Sequence, residues 1–457
     1  YAQIHYPFEN KDAFDNGELF PADFIAEGVD QTRGWFFTLH AIGTMVFGSP
    51  AFKAVVSNGL VLDKNGEKMS KRKGNAVDPF ETIEKFGSDP LRWYMIWSSS
   101  PWDNLKYDHD GVAEVSRKFF STLSNTYNFF AMYANVDGFT GDEPQIPLAE
   151  RPEIDRWILS LLNTLVKTVT EEFDDYEPTR ATRAVHEFVL DKLSNWYVRL
   201  NRKRFWSRGL ERDKLAAYQT LYTCLLTVSK LMAPVAPFFS DRLFRDLTAG
   251  VGTVESVHLA DFPVCDDSAV DAALEQRMDI AQRLTSLVLS LRKKANIKVR
   301  QPLAKILVPA SDSVTAEVVD AIAGIVKAEV NVKDLKLVAS DNEVFVKRVD
   351  PDFKRLGPKM GKLMKQAAAA IKALDASSIS DLEKNGVISI DLDGTSVDIE
   401  LADVKVISED IPGWLVANEG DLTVALDIDV TPELMREGLA REIINRVQNI
   451  RKSRGYD

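Results

Sequence analysis

Residues 59–75 read GLVLDKNGEKMSKRKGN, an apolar run followed at once by a basic loop. Residues 66–75 alone contain three lysines, one arginine and two glycines. A lysine ammonium is a compact charge on a flexible stem, so Lys68 and Lys71 can reach two phosphate oxygens and stabilise the charge that builds there. A solvated basic turn is the alternative, but Met69 favours an apolar pocket and has no place in a simple turn. The stretch therefore indicates a phosphate-binding loop after a β-strand.

The segments around this loop predict an α/β layer over residues 1–108. β-like runs such as ADFIAEG and AVVSNGLVL alternate with helix-like segments such as RGWFFTLHAIGTMVF, which is typical of a parallel sheet. Ligands of such sheets bind outside the carboxyl ends of the strands. Both EGVDQTRGW (27–35) and the basic loop follow β-like runs, so both are expected to line one crevice.

Two further regions are predicted along the rest of the chain. Residues 109–265 place apolar side chains at helical spacing, as in 154–173 and 185–200, which indicates an antiparallel helix bundle. Residues 266–457 start with a helix, continue in β-like runs and end in a second helix, which predicts a C-terminal α/β domain. Thr431 is the predicted N-cap of that last helix, with Pro432 in its first turn.

Composition restricts the class of protein. The chain has 457 residues, a net charge of −12 and two cysteines, Cys224 and Cys265. The acidic balance excludes a uniformly basic nucleic-acid coat but permits local basic patches. Two distant cysteines without a C-x-x-C support neither a disulfide framework nor a cysteine-rich zinc site, and a reducing, cytoplasmic location fits them. No run of 18 apolar residues occurs, so no membrane span is predicted.

One segment of the helical region inverts the sign of the charge. Leu190 to Leu215 contains eight basic and three acidic residues, and NWYVRLNRKRFW (195–206) interleaves cations with aromatics. Such patterns bind phosphates and stack unpaired bases. On a helix the aromatics are expected to face the core while the cations project outward. The candidate nucleic-acid-binding residues are Arg199, Arg202, Lys203, Arg204 and Arg208. A solvated helix end with cations near its C-terminus explains the composition equally well.

Residues 59–94 resemble the signature loop of class I aminoacyl-tRNA synthetases. The match rests on K-M-S-K at 68–71, Gly74-Asn75 and V-D-P at 77–79, while Arg72 stands where the family most often has serine. The segment EGVDQTRGWF (27–36) is similar to that of isoleucyl-tRNA synthetases, which typically read E-G-x-D-Q-x-R-G-W-F. The resemblance implies the C-terminal half of a Rossmann-like α/β catalytic domain (1–108), a helical anticodon-binding domain (109–265) and a C-terminal α/β extension (266–457).

The resemblance also implies a ligand set: ATP with Mg²⁺, isoleucine and tRNA(Ile), bound by a monomer without a zinc site. Lys68 and Lys71 are the implied catalytic residues. The implied ATP- and adenylate-binding residues are Glu27, Gly28, Asp30, Gln31, Met69 and Ser70. Trp35 is implied to form one wall of the isoleucine pocket, for which a flat aromatic side chain suits a branched aliphatic one; core packing is the alternative for Trp35.

Other parts of the family pattern are missing from the sequence. The H-x-G-H signature is absent, and LHAIG (39–43) has its glycine in the wrong place, so His40 is expected to be an ordinary surface or core histidine. The editing domain is also absent. The resemblance thus implies a chain in which half of the active site is missing, so we expect that the chain alone does not activate isoleucine. VLSLRKKANIK (288–298) echoes VQNIRKSRGYD (447–457), which suggests a truncated second subdomain. A class I synthetase for another aliphatic amino acid and a non-catalytic tRNA-binding protein remain alternatives.

Overall fold

The computed structural model describes residues 9–252, 254–339, 342, 344–345, 347–392, 395–408 and 411–455. It divides the chain into two compact units, Tyr1–Ala272 and Ala273–Asp457. The first unit contains the predicted α/β layer together with the predicted helix bundle. The finer division at residues 108 and 265 stays a prediction.

Parallel strand pairs form the α/β layer. Strand β1 (Ala22–Gly28) pairs with β2 (Phe52–Asn58), with Gly28 opposite Asn58. Strand β3 (Val61–Leu62) pairs in parallel with β4 (Leu105–Lys106). The predicted parallel arrangement is therefore confirmed, and the carboxyl ends of β1 and β2 lie side by side. The helices of this layer are α1 (Lys11–Asp15), α2 (Trp35–Phe47), α3 (Pro79–Phe86) and α4 (Ser88–Ser98).

Helix α3 begins directly after the basic loop. The Asp78 carboxylate accepts the backbone N–H of Phe80 at 2.8 Å, and Pro79 occupies the first turn, where its missing N–H leaves no hydrogen bond unmade. Gly87 ends the helix with φ +88°, a conformation that strains any residue with a Cβ. The stop at Gly87 lets α4 start one residue later in a new direction.

Helices form the rest of the first unit, as predicted. They are α5 (His109–Val115), α6 (Ser121–Asp137), α7 (Glu153–Asp174), α8 (Pro178–Glu187), α9 (Arg199–Trp206), α10 (Arg212–Met232) and α11 (Pro237–Thr248). The predicted helix at 154–173 is α7, whose apolar stripe buries Trp157 and Ile158. The second predicted helix is less regular, because Phe188–Val198 takes π-helical geometry between α8 and α9.

The second unit is an α/β structure built on a four-stranded sheet. Its helices are α12 (Ala272–Lys294), α13 (Ala316–Val330), α14 (Phe353–Met360), α15 (Met364–Lys372), α16 (Ala376–Asn385) and α17 (Pro432–Ser453). Its strands are β5 (Leu303–Pro309), β6 (Val332–Val338), β7 (Lys347–Pro351), β8 (Val387–Leu392), β9 (Thr395–Glu400), β10 (Val404–Ser408), β11 (Trp414–Glu419) and β12 (Leu422–Asp427). The sheet order is β11-β12-β5-β6, and the parallel pair β5 and β6 is joined by α13.

A separate core is formed by residues that lie between β6 and β11 in the sequence. The antiparallel pairs β7–β10 and β8–β9 share a buried cluster with α14 to α16 that includes Leu356, Ile371 and Ile399. The predicted start of α17 is confirmed, because the Thr431 hydroxyl accepts the N–H of Leu434 and Pro432 is in the first turn. No helix in the described part of the chain is long and apolar enough to cross a membrane.

Candidate functional site

The first candidate segment leaves the carboxyl end of β1. Glu27 and Gly28 are the last two residues of that strand, and a 3₁₀ turn over Val29–Arg33 carries Asp30 and Gln31 to the start of α2. The Gln31 side chain connects the turn to the helix: its Oε1 accepts the backbone N–H of Trp35 at 2.9 Å, and its Nε2 donates to Asp30 Oδ2 at 3.2 Å. The structure thus brings Glu27 and Gly28 at the end of β1 together with Asp30 and Gln31 on the turn that follows it.

Two glycines make this turn possible. A Cβ on Gly28 would lie 2.8 Å from Asp30 Oδ1, and a Cβ on Gly34 would lie 2.8 Å from Gln31 Oε1. Real Cβ atoms do not approach so closely, so any larger residue would push one of these side chains away. Gly28 therefore has a structural reason for its size, whichever ligand the turn binds.

Trp35 lies at the first position of α2 with 46% of its side chain exposed. Its ring stacks on buried Phe36, with centroids 6.2 Å apart. Core packing, the alternative for this residue, disagrees with that exposure. An exposed indole beside a polar turn suits contact with an aliphatic ligand group. His40, five residues further along the helix, is exposed.

The second candidate segment is the basic loop after β3. Leu62 and Lys68 form an antiparallel bridge, and a turn with Gly66 at φ +85° closes it. Lys68 is exposed, whereas Met69 and Ser70 are half-buried. The backbone of Lys71 is described, but its side chain lies outside the described part of the structure, so its predicted role stays a prediction. Strand β3, which leads into the loop, is separated from the end of β2 by only Gly59 and Leu60.

Lys73 has a partner within the loop. Its Nζ lies 2.6 Å from Glu67 Oε2, and this hydrogen bond and charge raise the pKa of Lys73. The pair is exposed, so it contributes little to stability. Lys68 is the lysine of the K-M-S-K motif whose side chain the structure describes. Among the described residues, no carboxylate lies within ion-pair distance of it.

Sequence reasoning assigned no role to Asp63 and Asn75, yet their side chains hold the loop. Asp63 Oδ2 accepts from Asn75 Nδ2 at 2.8 Å, across twelve residues of chain. Asp63 is also the first residue of a turn that reads D-K-N-G (63–66), in which Asp, Asn and Gly are residues that favour turns. That signal predicts the turn, but the pairing with Asn75 is visible only in the structure.

The basic helix end matches the prediction at four of its five cations. Arg199, Arg202, Lys203 and Arg208 are exposed on α9 and the turn after it. The Arg199 guanidinium stacks over Trp196, 5.7 Å from the ring centroid. Trp206, at the end of α9, is 57% exposed beside them. Cations and an exposed aromatic side chain therefore share this end of the helix.

Arg204 differs from the prediction that it projects outward. It makes a bidentate ion pair with Asp155, at 2.7 and 2.8 Å, and it also bonds to Asp213. Asp155 is fully buried and accepts a further hydrogen bond from Tyr197 at 2.7 Å. Burial alone would lower the pKa of Arg204, but the bonds and charge of Asp155 outweigh it and raise that pKa. Arg204 thus anchors α9 to α7, and its guanidinium is already occupied.

Among the residues that the structure describes, no three or more His, Cys, Asp and Glu side chains are grouped to hold a metal ion. Cys224 and Cys265 are both free thiols. Burial raises the pKa of the Cys265 thiol, with the nearby Asp267 carboxylate acting in the same direction.

The comparisons with known proteins agree with this geometry. The family model for class I tRNA synthetases (I, L, M and V) matches residues 1–108, and the model for the anticodon-binding domain of tRNA ligase matches residues 155–308. Both matched regions therefore resemble class I aminoacyl-tRNA synthetases. The anticodon-binding match extends beyond residue 265, where the predicted helical region ends.

Within that class, the whole chain is similar to isoleucine–tRNA ligases. It is 64% identical to the ligase of Porphyromonas gingivalis over 457 residues, which are 100% of this chain and 40% of that protein. The ligases of Cytophaga hutchinsonii and Clostridium acetobutylicum are 56% and 40% identical, with 41% and 44% of their lengths covered. The predicted resemblance is confirmed, and the chain spans about two fifths of the length of these curated relatives.

Proposed function

We propose that this chain supplies the lysine loop and the anticodon-binding helices of an enzyme that joins isoleucine to tRNA(Ile) with ATP. One observation carries the proposal: a chain 64% identical to an isoleucine–tRNA ligase has EGVDQTRGW at the carboxyl end of β1 and K-M-S-K in the loop that follows β3, and each of these strands is in a parallel pair. In such sheets that edge is where ligands bind. The same proposal includes a cytoplasmic, monomeric protein.

The proposed reaction has two steps. The isoleucine carboxylate attacks the α-phosphate of ATP, which forms isoleucyl-adenylate and releases pyrophosphate. The terminal ribose hydroxyl of tRNA then attacks the acyl carbon and releases AMP. The first step needs no general base, because the carboxylate is already ionised. The exposed Lys68 ammonium, together with Lys71, stabilises the negative charge that builds on the departing phosphates.

The turn after β1 positions the other end of the adenylate in this proposal. Asp30 and Gln31 offer a carboxylate and an amide to ribose hydroxyls, and Glu27 offers a carboxylate to the α-ammonium. Gly28 leaves room for close approach, and Trp35 contacts the isoleucine side chain. Mg²⁺ would enter on the ATP phosphates, where it neutralises their charge.

The nucleic-acid interface is proposed on the exposed end of α9. Arg199, Arg202, Lys203 and Arg208 contact the tRNA backbone, and Trp206 offers a face for an unpaired base. Arg204 is left out of this interface because Asp155 occupies its guanidinium.

A chimaeric ligase tests the catalytic proposal. This chain replaces the matching 457-residue segment of the Porphyromonas gingivalis relative, and isoleucine-dependent exchange of pyrophosphate into ATP is measured. We expect activity with isoleucine, reduced about 100-fold or more by Lys68→Ala. Lys64→Ala, an exposed lysine of the same turn, is the matched control and should change the rate less than about threefold.

Other outcomes select the alternatives. Activation of valine, leucine or methionine in preference to isoleucine would support a synthetase for another aliphatic amino acid. A folded chimaera that binds tRNA but activates no amino acid would support a non-catalytic tRNA-binding protein. Equal losses in Lys68→Ala and Lys64→Ala would remove Lys68 from the catalytic set.

A further inference from the structure

The carboxylate of Asp63 organises both ends of the basic loop. Its Oδ1 accepts the backbone N–H groups of Asn65 at 3.0 Å and Glu67 at 2.8 Å, which fixes the turn before the lysines. Its Oδ2 accepts from Asn75 Nδ2 at 2.8 Å, which brings back the chain after the lysines. The hydrogen bond from Asn75 is the largest of the effects that lower the pKa of Asp63, so the carboxylate is ionised at neutral pH.

The Asn75 side-chain amide makes hydrogen bonds to the backbone on both sides of Met69. Its Nδ2 also donates to the backbone carbonyl of Lys68 at 3.3 Å, and its Oδ1 accepts the backbone N–H of Ser70 at 2.9 Å. One side chain therefore fixes the peptide groups before and after Met69. This requires a donor on one atom and an acceptor on the other, which aspartate in the same place cannot offer when ionised.

We propose that Asp63 and Asn75 form a clasp that holds residues 68–70 in the conformation in which the lysine loop meets the ATP phosphates. The inference rests on the proposed function of that loop. Asp63 and Asn75 are positioning residues, since they act through the backbone that carries Lys68. Gly66 at φ +85° and Gly74 at φ +68° flank the held segment, so the loop opens between these two glycines when the clasp is released.

The polarity of the Asp63–Asn75 clasp permits a swap test. Asn75→Asp puts two carboxylates at a distance where an amide now donates. Asp63→Asn places two amide nitrogens opposite each other, unless the Asn75 amide flips. A flipped amide loses its hydrogen bond with the backbone N–H of Ser70. The double variant Asp63→Asn/Asn75→Asp restores a donor opposite an acceptor in the reverse sense, and keeps the acceptors for the backbone N–H groups of Glu67 and Ser70. It loses the longer bond to the Lys68 carbonyl, at 3.3 Å.

The first readout uses this chain itself. Trypsin cleaves after the five basic residues between 64 and 73, and the appearance of those fragments is followed by mass spectrometry. We expect each single variant to be cleaved in the loop about tenfold faster than the unchanged chain, and the swapped variant to return to within about threefold. Cleavage elsewhere and the Tm should stay constant, which shows that the variants are folded. Single variants cleaved at the original rate, or a swap no better than Asn75→Asp, would overturn the clasp.

The second readout uses the chimaeric ligase and separates a positioning role from a structural one. We expect each single variant to lower kcat by about tenfold and to raise the KM for ATP, while the KM for isoleucine stays within about twofold and the swap recovers most of the loss. A loop that opens without any change in kcat or in the KM for ATP would overturn the positioning role. An unchanged chimaera without isoleucine-dependent activity would instead overturn the proposed function and leave the proteolysis result standing.

Discussion

His186 of α8 is packed in a column of aromatic rings that joins the α/β layer to the helix bundle. Its ring stacks on Trp97 at 4.8 Å and on Phe119 at 4.7 Å, nearly parallel to both. Trp93 also stacks on Phe119 at 4.4 Å and donates its indole N–H to His186 Nδ1 at 3.3 Å. Nδ1 accepts this hydrogen bond only when it carries no proton, so the column requires the neutral imidazole.

Burial lowers the pKa of His186 to about 4. The unfolded chain, with its histidine pKa near 6.5, binds a proton at a pH where the folded chain does not. The free energy of unfolding therefore receives the full His186 contribution above pH 6.5 and loses it as the pH falls towards 4. At pH 5 the loss is about 2 kcal/mol in the fully buried limit, and about 1 kcal/mol after allowance for the partial exposure of the ring.

Urea unfolding between pH 4.5 and 7.5, followed by tryptophan fluorescence, measures this loss. Every tryptophan except Trp414 belongs to the unit that contains His186, so the signal reports chiefly on that unit. His186→Phe keeps the stacking and removes the titration. It also leaves the Trp93 N–H without its acceptor, which costs about 1–3 kcal/mol at every pH.

The two unfolding curves should therefore converge as the pH falls. We expect the difference in unfolding free energy between the unchanged chain and His186→Phe to shrink by about 1 kcal/mol from pH 7 to pH 5. Carboxylates that titrate elsewhere affect both proteins and cancel in the difference. A difference that stays constant over this range, or grows as the pH falls, would refute the assignment of a neutral, buried imidazole.

Three further predictions concern single residues. Asp155→Asn leaves Arg204 buried beside a neutral amide and should lower the free energy of unfolding, measured in urea, by about 3–5 kcal/mol. Asp213→Asn changes the exposed second partner of Arg204 and should lower it by less than about 1 kcal/mol. Similar losses in the two variants would contradict the buried anchor. Trp35→Ala in the chimaeric ligase should raise the KM for isoleucine by about tenfold and leave the KM for ATP within about twofold, and equal effects would make Trp35 part of the scaffold. Lys203→Ala should weaken binding of isoleucine tRNA in fluorescence anisotropy and reduce the salt slope by about 1, with the exposed Arg242→Ala as the control; identical slopes would exclude Lys203 from the interface.

Repeating local patterns allowed most of the fold to be predicted. The helix at 154–173 has one apolar face, and that face is the buried one in α7. Thr431 and Pro432 start α17 as their residue types require. These features depend on neighbours within a few residues, and the sequence shows such neighbours directly.

Pairings between distant residues account for what the sequence did not show. Arg204 follows the same helical period as its exposed neighbours, and only Asp155, 49 residues earlier, turns it inward. Asn75 looks like one more polar residue after the lysines until Asp63 is placed beside it. A polar side chain does not reveal its partner by spacing, because the fold decides which distant group reaches it.

The same distant pairings indicate how far the lysine loop can move. Helix α4, which follows the loop and α3, is fixed at both ends within the first unit. Near its start, Asp89 is buried and accepts the N–H of Phe239 at the beginning of α11 at 2.6 Å.

At the other end of α4, Thr179 of α8 donates to the carbonyl of Ile96 at 2.7 Å, and Arg183 donates to that of Trp97 at 2.9 Å. These contacts pair carbonyls that a helix end leaves unbonded, so α4 is bound to the bundle and cannot follow the loop. Asp78 caps α3 directly after the loop, which fixes its exit as well. Movement is then confined to the segment between Asp63 and Asp78, and the Asp63–Asn75 clasp is the contact that has to break for it to occur.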